Sequence, residues 1–164
     1  MATRRDFLKL GAGSAALLAA FGVASRFVGR HAVDDRRDVL RGVIPAVLGG
    51  ALSIDATERR HGIEAALAGV EAAIAGLPPA TQDELGTLFF ALAAAPSRLV
   101  LAGLATPWSE AQAAEVAAVL QGWRTHRLTL LQSAYHAFHD LILGVAYADE
   151  TRWTDIGYPG PPRL

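Results

Sequence analysis

Apolar residues in this chain recur at steps of three and four, the spacing that lines one face of an α-helix, and no stretch keeps the period of two that a half-buried strand needs. Val39, Leu40, Val43, Ile44, Val47 and Leu48 predict a first helix over 38–52; Pro45 should kink or split it, and Gly49-Gly50 weakens its end. Asp55 with Glu58 three residues on reads as an N-terminal cap, after which Ile63, Leu67, Val70, Ile74 and Leu77 form a single stripe. Leu77-Pro78-Pro79 stops that helix. Thr81 with Glu84 predicts the cap of the next, which carries Leu85, Leu88, Phe89 and Leu92 and ends near Ala95 because Pro96 follows. Ser97 is placed to cap a short apolar piece over 98–104, and Thr106-Pro107-Trp108 breaks the chain again. From Ser109, read as a cap with Gln112, the pattern predicts the longest helix, 110–147, about 57 Å if unbroken, with Gly122 or Gly144 as bending points. The expected fold class is all-α, a compact domain of about five helices over 38–164 with a Pro/Gly-rich C-terminal tail.

The N-terminal end follows a different logic. Arg4, Arg5 and Lys9 precede an uncharged run from Leu10 to Ser25, about 24 Å if helical, which is short for a bilayer span. Thr3-Arg4-Arg5-Asp6-Phe7-Leu8-Lys9 resembles the twin-arginine (Tat) signal family, S/T-R-R-x-F-L-K, at every specified position, with Arg4, Arg5, Phe7 and Leu8 as the signal residues. The resemblance implies export in the folded state, with residues 1–25 as a signal helix and 26–37, including Asp34-Asp35-Arg36-Arg37, as a solvated tether. Gly22-Val23-Ala24 offers a small-residue cleavage site; either cleavage follows Ala24 or the segment stays as an anchor.

Composition narrows the function classes. Apolar residues make up 52% of the chain and aromatics 7%, with alanine and leucine dominating, which favours helices. Net charge is -1; removing residues 1–24 takes away three positive charges and one negative and leaves about -3, so there is no electrostatic reason to expect nucleic-acid binding. Lys9 is the only lysine, and every basic residue after it other than histidine is an arginine, suited to pairing with carboxylates. The chain has no cysteine, which excludes disulfides, thiol-ligated clusters and covalent haem attachment on this chain.

Candidate chemistry is sparse. In an unbroken last helix, Leu120, Trp123, Arg127, Leu130, Ala134, Phe138, Leu141 and Val145 share one face, placing Arg127 in an apolar line. Its guanidinium needs an acceptor: either it is paired internally and stacked on Trp123, or a partner protein supplies a carboxylate or carbonyl. His136, His139 and Asp140 are close in sequence but lack a further ligand set, so they read either as ordinary surface or interface histidines or as part of a metal site. No nucleophile elbow, phosphate loop or dinucleotide fingerprint is present. The tail from Trp153 to Pro162, W-T-D-I-G-Y-P-G-P-P, is too short to fold alone and must lie on its own domain or across a subunit interface.

These segments together, with P-A-V-L-G-G at 45–50, W-R-T-H-R-L at 123–128, S-A-Y at 133–135 and the W-x-x-I-G-Y-P-G-P ending, resemble a family of small subunits. They are the Tat-leader small subunits of FAD-dependent glucose-methanol-choline type dehydrogenases, similar to gluconate 2-dehydrogenase subunit 3 and the sorbitol and fructose dehydrogenase small subunits. The resemblance implies a non-catalytic subunit, without a cofactor of its own, that escorts an FAD-containing catalytic subunit through the Tat translocon. It implies a periplasmic location, associated with the inner membrane, and a cytochrome c subunit as a further partner. By matching motifs, Trp123, Arg127, Tyr135, Trp153, Gly157, Tyr158 and Pro159 are expected at the flavoprotein interface or in the fold supporting it. The alternatives are an independently acting exported helical protein that binds a ligand or metal, and a membrane-anchored scaffold.

Overall fold

The computed structural model describes residues 32–148. The signal residues Arg4, Arg5, Phe7 and Leu8 and the tail residues Trp153, Gly157, Tyr158 and Pro159 lie outside the described residues. Six α-helices and no strand are found among the described residues, so the fold is all-α. The helices are α1 (Ala32–Leu48), α2 (Ala56–Ala75), α3 (Pro79–Ala93), α4 (Ala95–Ala102), α5 (Ala113–Arg124) and α6 (Thr129–Ala148), with 3₁₀ turns at Gly49–Ala51 and Trp108–Glu110. Among the described residues no single helix is long and apolar enough to cross a membrane.

The central element is α1, which packs against α2, α3, α5, α6 and the Trp108 turn. Val39, Leu40, Val43 and Ile44 are fully buried, and each such side chain contributes about 1.5–3 kcal/mol by leaving water. The helix begins at Ala32, so residues 32–37 are its first turns and not part of a tether. Tertiary contacts account for this. Arg37 holds Glu71 of α2 through two parallel hydrogen bonds, Nε–Oε1 at 2.9 Å and Nη2–Oε2 at 3.1 Å, and the Arg36 guanidinium lies 5.9 Å from the centre of the Phe89 ring. Pro45 does not split the helix, which runs through it to Leu48 because Ile44 and Leu48 on either side are held in the core.

Asp55 caps α2, accepting from the backbone N–H groups of Thr57 at 2.8 Å and Glu58 at 2.9 Å. Ala66, Leu67, Val70 and Ile74 form its buried stripe. Close approach to α6 depends on Gly69, where a Cβ would stand 2.4 Å from Val145 Cγ1. The next helix starts earlier than the Thr81–Glu84 box predicts. Pro79 takes the first position of α3, where a missing N–H costs nothing. The Gln82 side chain instead donates back to the carbonyls of Ala75 at 3.2 Å and Leu77 at 2.8 Å, tying α3 to the end of α2.

Ser97 does not cap α4. Its hydroxyl donates to Ala91 O and Ala94 O, stitching α4 onto the end of α3. Gly103, at φ 70°, ends α4 in the left-handed conformation that glycine adopts without a Cβ penalty. The long helix expected over 110–147 is two helices, and the break lies at 125–128, not at Gly122 or Gly144. Local hydrogen bonds replace helical ones there: Leu128 N–H donates to His126 Nδ1 at 3.1 Å, and the Gln132 amide donates to His126 O at 2.8 Å.

Candidate functional site

Four aromatic rings form the centre of the bundle. Trp108 meets Trp123 edge-on with ring centroids 5.9 Å apart; Trp123 stacks on Phe138 at 6.5 Å, and Phe138 meets Phe89 edge-on at 5.8 Å. Each indole uses its one donor inside the fold: Trp108 Nε1 donates to Leu92 O at 2.8 Å and Trp123 Nε1 to Leu101 O at 2.9 Å. Trp123 is therefore a buried strut between α5 and α4, belonging to the fold that supports a surface and not to the surface itself.

Two polar residues that the sequence pattern does not single out hold this centre. Asp38 of α1 reaches across to the 3₁₀ turn, accepting from Trp108 N–H at 3.2 Å, from Ser109 N–H at 3.1 Å and from the Ser109 hydroxyl. Ser109 thus serves Asp38 and caps no helix. Gly42, one turn along α1, lets the two backbones meet, since a Cβ there would stand 2.3 Å from Trp108 O. Arg98 is the one buried charged residue among the described residues. Its guanidinium donates only to backbone carbonyls, Ala93 at 2.8 Å, Ala105 at 3.2 Å and Leu104 at 3.3 Å, and so gathers the end of α3 and the loop after α4 around one side chain. A charge at Arg98 inside an apolar run was the available signal, but only the folded chain supplies its acceptors.

The break at 125–128 moves Arg127 off the apolar line of helix positions. It is exposed, and it does not stack on Trp123. The buried stripe of α6 is Leu131, Ala134, Phe138 and Ile142, while Leu130 is 56% exposed and Leu128 55%. Tyr135 is half-buried on α6, its ring 4.0 Å from that of His139, and His139 Nδ1 lies 2.9 Å from Tyr135 O. His136 packs edge-on to the other side of Tyr135 at 5.3 Å. Among the described residues no group of three or more His, Cys, Asp or Glu could hold a metal ion.

Charge is distributed unevenly over this scaffold. Along the α1–α2 face, Arg37 pairs with Glu71 and Arg41 pairs with Glu64 at 3.0 Å. The Arg37 hydrogen bonds hold the Glu71 carboxyl below the usual carboxylate range against the opposing effect of partial burial. At the opposite arrangement stands the end formed by α4 and the α5–α6 junction, where Arg124 and Arg127 are exposed and make no ion pair among the described residues. Comparison with protein-family models, with curated proteins and with solved structures finds no match to this chain.

Proposed function

We propose that this chain is a non-catalytic small subunit that escorts a folded FAD-dependent dehydrogenase through the Tat pathway and stabilises it in the periplasm, at the inner membrane. The observation that carries the reading is Thr3-Arg4-Arg5-Asp6-Phe7-Leu8-Lys9 ahead of an uncharged apolar run, joined to a chain without cysteine or any recognised catalytic motif. The FAD sits on the partner subunit, and a cytochrome c subunit takes the electrons. An all-α bundle whose aromatic centre uses its own donors is a scaffold suited to presenting a surface.

The test replaces Arg4 and Arg5 by lysine and follows the cellular location of both this chain and any flavoprotein that co-purifies with it. Both are expected to accumulate in the cytoplasm, with flavin-dependent activity missing from the periplasmic and membrane fractions. Continued export of the flavoprotein at the wild-type level would overturn the escort role.

A further inference from the structure

The escort reading leaves open which part of the bundle the catalytic subunit meets, and the distribution of charge and exposed apolar area narrows it to one end. No Asp or Glu occurs from Leu85 to Ser109 or from Val116 to His139, so α4 and the α5–α6 junction are built from sequence without a single carboxylate side chain. The Trp123 Nε1 bond to Leu101 O ties the last turn of α5 to the last turn of α4, bringing these two segments to the same end of the molecule. Within these two segments and the first turn of α6, Leu99 is 57% exposed, Val100 75%, Leu128 55% and Leu130 56%. These are four of the seven large apolar residues left exposed among the described residues. Arg98, Leu101 and Ala102 turn the other side of α4 inward, which fixes Leu99 and Val100 outward.

Resting on the escort reading, we propose that this end is the interface with the flavoprotein, and that the partner covers it with an apolar patch rimmed by carboxylates. Arg124 and Arg127 supply the charge argument. Elsewhere on the bundle Arg37 and Arg41 meet carboxylates of their own chain, and Arg59 and Arg60, which make no ion pair among the described residues, have Glu58 and Glu64 close in sequence, whereas here no carboxylate lies within the local sequence. Guanidinium groups favour planar, bidentate carboxylate recognition, and exposed leucines beside them supply area that leaves water on docking. A membrane surface fits less well: α4 has only eight residues, and two arginines are fewer than the four to eight basic residues, roughly, that hold a polybasic segment on anionic lipid.

The test measures binding of the full chain to the flavoprotein that co-purifies with it, in four forms: wild type, Arg124→Glu with Arg127→Glu, Leu99→Ser with Val100→Ser, and Arg60→Glu on α2 as a control. Helical circular dichroism and melting temperature establish that each form is folded. Kd is expected to rise about 30-fold or more for the paired arginine reversal and about 10-fold for the α4 pair, with Arg60→Glu within about twofold. Equal affinity of all four forms would overturn this placement of the interface while leaving the escort role standing. Absence of any binding by wild type would overturn both. Phosphatidylglycerol vesicles, or a second copy of the chain, binding wild type but not the arginine reversal would assign the face to lipid or to self-association and overturn the proposal.

Discussion

Two arginine-bearing segments of this molecule are opposite in use. In the first turns of α1, Arg36 lies over Phe89, Arg37 holds Glu71 with two hydrogen bonds, and Arg41 pairs with Glu64. At the α5–α6 junction, Arg124 and Arg127 stand exposed with no carboxylate among the described residues to meet. The first set fixes α1 and α2 antiparallel, since Arg37 and Arg41 ascend one helix as Glu71 and Glu64 descend the other. The second set holds nothing in place within the described bundle. Where an arginine is spent on internal order it is unavailable for recognition, and Arg124 and Arg127 are not so spent.

The contrast is broken most completely by removing what both segments hang on. Trp108→Ala deletes the ring that joins α1, Leu92 and Trp123, and a loss of about 3–5 kcal/mol is expected in urea unfolding monitored by circular dichroism. Arg98→Met keeps the volume but leaves three carbonyl acceptors without their donor; a loss of about 2–3 kcal/mol is expected, together with faster amide exchange in α4. Gly42→Ala tests the close approach of α1 to the Trp108 turn. The added methyl overlaps backbone and not the end of a flexible side chain, so a loss of about 1–3 kcal/mol is expected.

Smaller changes sharpen the comparison itself. Because the folded-state pKa of Glu71 is lowered, the pair with Arg37 contributes stability that is present above the unfolded carboxyl value and is lost as pH falls through the lowered folded value. Glu71→Gln should therefore lower the melting temperature slightly at neutral pH and flatten its fall on acidification; an unchanged acid profile would show that the pair is idle. Arg127→Ala is expected to change unfolding free energy by no more than about 0.5 kcal/mol at any pH, since no described group depends on it. A larger loss would mean that the α5–α6 junction does internal work after all.

The fold class, one helix start and most helix stops were legible because they follow from local chemistry. Asp55 caps α2 through its own carboxylate, Leu77-Pro78-Pro79 stops it, and Ile63, Leu67, Val70 and Ile74 repeat at helical spacing. The misread boundaries are those that side-chain contacts, distant or local, decide over apolar spacing. Residues 32–37 look like a solvated charged run until Glu71 and Phe89 are brought alongside. The break at 125–128 carries neither glycine nor proline, and it exists because His126 and Gln132 offer the backbone other hydrogen-bond partners. Of the expected interface residues within the described chain, Trp123 is buried, Tyr135 half-buried and Arg127 exposed, an order that no periodicity could give once the helix they share is broken.

By itself the sequence determined an all-α chain, because capping, proline stops and apolar periodicity act over a few residues and need no distant partner. Only the tertiary structure decided that α1 is the centre of the bundle, that Asp38 and Arg98 lock it, and that Arg127 faces outward. The first outcome and the Asp38 lock depend on groups far apart in the chain, such as Asp38 and Trp108 seventy residues on, which leave no trace in local pattern; the Arg98 lock and the placing of Arg127 rest on side chains that turn back to nearby backbone, which periodicity does not register.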